Sequence, residues 1–175
     1  GDGTTSLQIT TWLKIGSDSN WATVVGSSTS SAGIRTDGSL WMWGANLYGQ
    51  LGDGTTTMST VPKQVGTDTD WVAVTIGIGH TVALKQDGTL WGWGRNSANQ
   101  LGLPTPENRL VPTKLSSATD WVSVSVRSDH TLAINRTGEL WSWGTGSATG
   151  PDGPDRGRAA PSRAADRVGE TPSSP

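Results

Sequence analysis

The chain has 175 residues, a net charge of −2 and no cysteine, so it can form a hydrophobic core but has no disulfide framework or thiolate metal site. No stretch is strongly basic, which argues against direct DNA or RNA binding, and no apolar run approaches the roughly 20 residues of a membrane-spanning helix. Its 24 glycines and 10 tryptophans accompany many Thr, Ser and Val residues, which is typical of short β-strands joined by turns.

The main signal along the chain is a repeat of fifty residues. The positions that coincide after a shift of fifty include Trp21, Trp71 and Trp121, and the glycines that close three Leu-Trp-x-Trp-Gly segments, Gly44, Gly94 and Gly144. Nine of the 10 tryptophans fall in this register. A fixed period of this length is typical of repeat proteins, in which each unit buries its apolar face against a neighbour.

The repeat divides the chain into five segments. Residues 1–20 begin with Gly-Asp-Gly-Thr-Thr, which recurs at 52–56, so we expect 1–20 to be the end of a preceding unit. The other segments are repeat 1 at 21–70, repeat 2 at 71–120, a partial repeat 3 at 121–145 and a tail at 146–175.

Repeat 2 contains the clearest strand pattern. Short β-rich runs predict three strands, at Trp71–Ile76, His80–Lys85 and Thr89–Trp93, and the hairpin dipeptide Asp87-Gly88 separates the last two. A further run at Val61–Val65 predicts an edge strand, because Pro62 cannot donate to a β-ladder. Four short strands in fifty residues are typical of a propeller blade. The sequence therefore predicts an all-β fold, a partial β-propeller of about three four-stranded blades with a disordered C-terminal tail.

The tail at 146–175 is rich in Pro, Gly, Ala and Arg, and it has no aromatic residue. Such a composition cannot supply a core and predicts disorder. The repeat pattern breaks at Gly150-Pro151-Asp152, where the next Gln-Leu-Gly would stand. Two explanations are open at this point, a shift of reading frame and an ordinary Pro-rich linker.

Several segments of repeat 2 closely resemble the regulator of chromosome condensation repeat. These segments are Trp71–Val74, Gly79–Lys85, Asp87–Asn96 and Gln100–Gly102. The resemblance covers roughly Gly1 to Gly144 and is weakest in repeat 1, where Ser30 stands at the position of His80 and His130. Propellers of this family are usually closed rings with more blades. The resemblance therefore implies a fragment, a damaged copy or a ring closed by association.

Neither the histidines nor any known sequence motif indicates a catalytic or metal site. His80 and His130 occupy the same repeat position without an acidic or cysteine cluster, so we expect them to be structural. Nucleophile-elbow, zinc-helix and phosphate-loop motifs are absent from the sequence. The sequence predicts a protein that is not an enzyme and that needs no cofactor or metal.

One end of the predicted blades is acidic. Successive loops of an antiparallel blade alternate between the two ends, so the β-turns share one end with the segments that precede Trp21, Trp71 and Trp121. We call this end the acidic face; it collects Asp18, Asp37, Asp68, Asp70, Asp87 and Asp120. A basic protein partner could bind there. The alternative is that aspartate merely suits turns and keeps strand edges soluble.

Three functions are compatible with this sequence. The first is a scaffold for protein–protein interaction through the loops of one face, with a partner that the sequence does not identify. The second, implied by the family resemblance alone, is guanine-nucleotide exchange on a small GTPase. The third is a truncated or degenerate copy without activity. Self-association is a further expectation, since it would cover the open edges of the end blades, and the compartment cannot be read.

Overall fold

The computed structural model describes Gly3, residues 12–145 and the strand Asp166–Arg167, and in these residues every regular element is a β-strand. In the first sheet the strands are β1 (Trp21–Gly26), β2 (Ser30–Arg35), β3 (Leu40–Gly44) and β4 (Ser59–Gln64). The second sheet holds β5 (Trp71–Ile76), β6 (His80–Lys85), β7 (Leu90–Gly94) and β8 (Arg109–Lys114). The third holds β9 (Trp121–Arg127), β10 (His130–Asn135), β11 (Leu140–Gly144) and β12 (Asp166–Arg167).

Each sheet is an antiparallel blade of four strands taken in chain order, β1-β2-β3-β4, β5-β6-β7-β8 and β9-β10-β11-β12. The blades stack in sequence, because β5 packs against β1 and β2, and β9 packs against β5 and β6. This arrangement confirms the predicted all-β partial propeller. No helix that could span a membrane occurs in the described part of the chain.

The strand bounds follow the sequence pattern closely. β5 and β6 have the predicted limits, and β7 lies one residue later than predicted. Strand β4 stands at the outer end of its sheet, as Pro62 predicts, and its pairing with β3 is interrupted between Met42 and Gly44.

The hydrophobic core lies between the blades. In the first interface, Leu40 and Met42 of blade 1 are fully buried together with Trp93 of blade 2. The second interface combines Leu90 and Leu101 of blade 2 with Trp121, Ala133 and Trp143 of blade 3. Each blade therefore depends on its neighbour for burial of its tryptophans, as expected for a repeat architecture.

The leading surface of blade 1 shows what the neighbour contributes. Val74 in β5 is 5% exposed because it packs against blade 1, whereas Val24, at the same position of β1, is 70% exposed. Burying a valine side chain stabilises a fold by roughly 1.5–3 kcal/mol. Blade 1 lacks this contribution on its leading side among the residues that the structure describes.

A shared hydrogen-bond pattern joins consecutive blades, and we call it the interblade latch. The hydroxyl of Thr81 in blade 2 donates to the Gln50 carbonyl of blade 1 at 2.8 Å, and the indole N–H of Trp93 donates to the same oxygen at 2.9 Å. The hydroxyl of Thr131 in blade 3 donates to the Gln100 carbonyl of blade 2 at 2.9 Å. Since these groups are buried, each latch satisfies a backbone acceptor that water cannot reach.

The described residues near the two ends repeat contacts seen inside the array. The amide of Gly3 donates to the Thr60 carbonyl at 3.0 Å, as the amide of Gly54 donates to the Leu110 carbonyl at 2.9 Å. Strand β12 pairs with β11 in the place that β8 takes beside β7. The rest of the predicted tail at 146–175 and most of 1–20 lie outside the described residues.

Candidate protein-interaction face

The β-turns of one blade and the segment leading into the next blade meet at the acidic face. The Trp71 amide donates to the Gly38 carbonyl at 3.2 Å, and the Trp121 amide donates to the Gly88 carbonyl at 3.1 Å. These bonds bring the Asp37 and Asp87 turns beside the segments that carry Asp68, Asp70 and Asp120. The six predicted aspartates therefore lie at one end of the blades.

The turn aspartates are held by their own hairpins. The Asp37 carboxylate accepts hydrogen bonds from the Ser39 hydroxyl at 2.6 Å and the Ser39 amide at 2.9 Å. Asp87 accepts the same two bonds from Thr89. Hydrogen bonding to the side chain of Ser39 or Thr89, followed by bonding to its amide, lowers the pKa of each carboxyl. Both turns therefore keep a negative charge at neutral pH.

A buried cation lies behind the carboxylates in blade 2. The Lys85 ammonium lies 2.7 Å from Asp68 and 3.0 Å from Asp70, and 4.7 and 5.0 Å from the ring centroids of Trp71 and Trp91. Burial opposes the charged form, but the hydrogen bonds to Asp68 and Asp70 outweigh it, so the pKa of Lys85 is raised. Lys85 therefore remains charged against two indole faces.

Blade 1 repeats this arrangement with a different cation. The Arg35 guanidinium lies 4.8 Å from the Trp21 ring centroid and 3.7 Å from that of Trp41, and it pairs with Asp18. A cation between a leading aspartate and two tryptophans is thus common to blades 1 and 2. This arrangement is not among the features predicted from the sequence, although the spacing of Arg35 and Lys85 by fifty residues is the signal that could have revealed it.

Blade 3 departs from this arrangement. Asn135 stands at the position of Lys85, and Ala118 at the position of Asp68. The Asn135 amide oxygen accepts a hydrogen bond from the Glu139 amide at 2.8 Å, so the side chain caps its own hairpin. The cation and one of its carboxylates are therefore missing together.

The charges of the acidic face do not balance. Asp18, Asp68 and Asp70 pair with the two cations, whereas Asp37 and Asp87 are held by neutral groups. Asp120 forms no ion pair among the described residues. Three exposed cations also lie at this end, Lys114 near Asp87, Arg136 in the blade 3 hairpin and Lys14 in the first leading segment. The six aspartates and Glu139 still outnumber these three cations together with Arg35 and Lys85, which leaves this face negative.

His80 has a structural position. Its ring nitrogen lies 3.3 Å from the Thr131 hydroxyl, so it joins blade 2 to blade 3. Burial lowers the pKa of His80 to about 4, and the opposing effect of Asp129 is smaller. Among the described residues, no three His, Cys, Asp or Glu side chains form a group that could hold a metal ion.

The opposite end of the blades is more balanced in charge. Arg95 lies 3.7 Å from Asp129 and 5.4 Å from the ring centroid of Tyr48. The Asp129 carboxylate also accepts a hydrogen bond from Gln100 at 2.9 Å. This end therefore pairs a cation with an acid across the blade 2–blade 3 boundary, and it presents no comparable excess of one sign.

Comparison with known families identifies one kind of repeat. Two sequence profiles, both of the regulator of chromosome condensation (RCC1) repeat, match the chain, one at residues 37–84 and 87–134 and the other at 71–100. The first profile covers more than half of the chain. No curated protein sequence matches the chain.

Solved structures show the same likeness. The chain is similar to yeast RCC1 (Prp20) bound to Kap60, with a TM-score of 0.65 and 25% identity over 71% of this chain and 32% of that one. It is also similar to Prp20p from Saccharomyces cerevisiae, whose structure is described with its binding to Gsp1p and histones (TM-score 0.66, 25% identity, 71% and 33% covered). Human WBSCR16, at 23% identity and a TM-score of 0.63 over 71% of this chain and 33% of that one, shares the fold. The chain spans about one third of these proteins' length.

Proposed function

Because this chain belongs to the regulator of chromosome condensation (RCC1) repeat family, as the resemblance of repeat 2 implies, we propose that it is a non-enzymatic scaffold that binds a basic protein through its acidic face. Proteins with these repeats are generally regulators or binders. The three blades form a rigid support, and loops on a rigid support commonly carry binding residues.

The observation that carries this proposal is the excess of aspartate over cations at one end of the blades. Arg35 and Lys85 neutralise part of that charge internally, and the exposed Lys14, Lys114 and Arg136 add three cations at this end. The carboxylates of Asp37, Asp87 and Asp120 nevertheless have no cationic partner within hydrogen-bond distance among the described residues. A negative surface raises the association rate and selects partners of positive charge. The similarity to Prp20p, whose structure is described with histone binding, supports a basic protein as the partner class.

The experiment measures capture of a Lys/Arg-rich peptide by the immobilised full chain between low and physiological salt, with a glutamine-substituted peptide as reference. The triple variant Asp68→Asn, Asp70→Asn, Asp87→Asn should weaken capture about tenfold or more at low salt, because it removes three of the six aspartate carboxylates. Asparagine keeps the oxygen that accepts the turn hydrogen bond at Asp87, so this hairpin retains its cap.

The matched control is Glu107→Gln, which removes an exposed carboxylate from the loop between β7 and β8 at the opposite end of the blades. This variant should bind as the parent does. Circular dichroism must show that the triple variant stays folded, because Lys85 loses both of its partners in it. Equal capture by the parent and a folded triple variant would refute the proposal.

A second candidate is guanine-nucleotide exchange on a small GTPase. The likeness to Prp20p, described with its binding to Gsp1p, favours it, although the chain spans about one third of that protein. Exchange activity would appear as faster release of a labelled nucleotide from a small GTPase when the chain is added. A binder without exchange activity leaves the release rate unchanged.

A further inference from the structure

A cavity of about 420 Å³ lies between blades 2 and 3 at the acidic face. Leu90 and Leu115 form its wall in blade 2, and Trp121 and Trp141 form its wall in blade 3. Asp120, Asn135, Ser116 and Ser117 supply its polar lining. The volume falls in the usual range of small-ligand sites, so it can hold a long side chain.

The first interblade interface shows what occupies the same place. A shift of fifty residues maps the walls of the cavity onto Leu40, Val65, Trp71 and Trp91. In that interface Lys85 is 8% exposed, and its ammonium reaches the two indoles and the Asp70 carboxylate. Lys85 therefore stands at the position from which Asn135 lines the cavity of the next interface, and its ammonium lies beside the equivalent pair of indoles.

Asn135 explains why the cavity exists. It replaces Lys85 with a side chain that is shorter and uncharged. Its amide oxygen accepts from the Glu139 amide at 2.8 Å, and its amide nitrogen donates to the Glu139 carboxylate at 2.7 Å. Asp120, which lines the cavity, stands at the repeat position of Asp70, whose carboxylate contacts the internal lysine. Ser117 at the rim is exposed, so the cavity can be reached from solvent.

We propose that this cavity, the lysine cavity, receives the lysine side chain of the basic protein partner and thereby replaces the internal cation of the other blades. The proposal rests on the proposed function and gives it a specific anchor. The methylene stem would lie against Leu90 and Leu115, and the ammonium would lie between the two indoles with Asp120 as its counter-ion.

The chemistry of the lining selects a cation over an apolar side chain. An apolar occupant would cover Asp120 without pairing it, and a buried unpaired carboxylate is costly. An ammonium supplies that pair and also gains the attraction of the indole faces. The preference for lysine over an uncharged side chain of the same length should therefore be about tenfold or more in affinity.

The direct test titrates the full chain with N-acetyl-lysine methylamide, and separately with the norleucine analogue, which keeps the four side-chain carbons but lacks the ammonium group. Binding is followed by the indole N–H signals of ¹⁵N-labelled protein. We expect millimolar binding of the lysine compound, since it is a single side chain, and about tenfold weaker binding of the norleucine compound.

A variant can supply the lysine from within the chain. Asn135→Lys together with Thr137→Asp reproduces the Lys85-Gln86-Asp87-Gly88 order of blade 2 except at the second residue, so its hairpin keeps an acceptor for the turn amide. It should bind the lysine compound about tenfold more weakly than the parent. Thr137→Asp alone is the matched control and should bind as the parent does.

Three results would overturn the lysine cavity. The first is equal affinity for the lysine and norleucine compounds, and the second is unchanged affinity in the variant with Asn135→Lys. The third is tighter binding after all tail arginines are changed to glutamine, which would assign the cavity to the chain's own tail; these are Arg156, Arg158, Arg163 and Arg167.

The outcomes also separate this inference from the proposed function. If the acidic-face variant loses capture of the basic peptide but the lysine compound does not bind, the proposed function is supported and the lysine cavity is refuted. If the lysine compound binds but the basic peptide is not captured, the scaffold proposal fails and the lysine cavity stands as a site for small organic cations.

Discussion

At the scale of single residues, a buried asparagine marks the same position of repeats 1 and 2. Asn46 accepts a hydrogen bond from the Leu51 amide at 2.9 Å and donates to the Thr55 carbonyl at 3.0 Å. Asn96 makes the same contacts, with the Leu101 amide and the Thr105 carbonyl. Because both asparagines are almost fully buried, they hold the long loop after the third strand of blades 1 and 2 by satisfying its backbone.

His80 should make the fold sensitive to pH. Its pKa is about 4 in the folded protein against 6.5 for the unfolded chain, because burial disfavours the charged ring. The stabilisation is fully present above pH 6.5 and is lost as the pH falls from 6.5 towards 4. At pH 5 the free energy of unfolding should be about 2 kcal/mol lower than at pH 7, which urea unfolding at both pH values measures.

The control for this prediction is a pair of variants at equivalent positions. His80→Gln should remove most of the loss between pH 7 and pH 5, whereas His130→Gln should retain it. Parallel pH dependence in the parent and in His80→Gln would contradict a role for His80.

At the scale of elements, the hairpin between the second and third strands has two roles. Gly88 has a φ of 78°, and a Cβ there would lie 2.2 Å from the Thr119 carbonyl of the next blade's leading segment. Gly138 has a φ of 83° in the equivalent turn, but no described atom lies within 4 Å of its Cβ position. A comparison of substitutions at the two glycines therefore distinguishes the cost of the left-handed turn conformation from the cost of a clash with the next blade.

Gly138→Ala should destabilise the protein by about 1 kcal/mol, the cost of a left-handed conformation for an L-residue. Gly88→Ala should cost about 3 kcal/mol, because the next blade must also move away from the new methyl group. Urea unfolding of the two variants measures the difference. Equal costs would show that the contact with Thr119 does not constrain the turn.

The strands could be predicted from sequence because their signals are local. Alternating β-rich runs, Asp-Gly turns and Pro62 give the limits of β5 and β6 and the edge position of β4. The lysine cavity could not be predicted in this way. It depends on the distance between Leu90 in one blade and Trp121 in the next, and on a side chain too short to fill that gap.

The acidic face could be predicted from the sequence only in part. Strand alternation was sufficient to place the six aspartates at one end. The internal pairing with Arg35 and Lys85 was missed, because a cation stacked on two indoles requires three separate segments to meet. What the face binds stays a prediction.

At the scale of the whole molecule, the blades should differ in local stability. All residues of β6 are buried, since blade 2 has a neighbour on both sides, whereas β10 in blade 3 has half-buried and exposed positions. We expect amide hydrogen exchange to be at least about tenfold slower in β6 than in β10 after correction for intrinsic rates. Uniform protection would show that the three blades open as one unit.

The interblade latch also has a direction. The leading blade always provides the carbonyl, at Gln50 or Gln100, and the following blade provides the hydroxyl, at Thr81 or Thr131. Two copies that associate through this contact must therefore present different surfaces to each other. A twofold-symmetric dimer uses the same surface on both partners and is excluded for this contact, so association through it builds either a cyclic oligomer or an open filament.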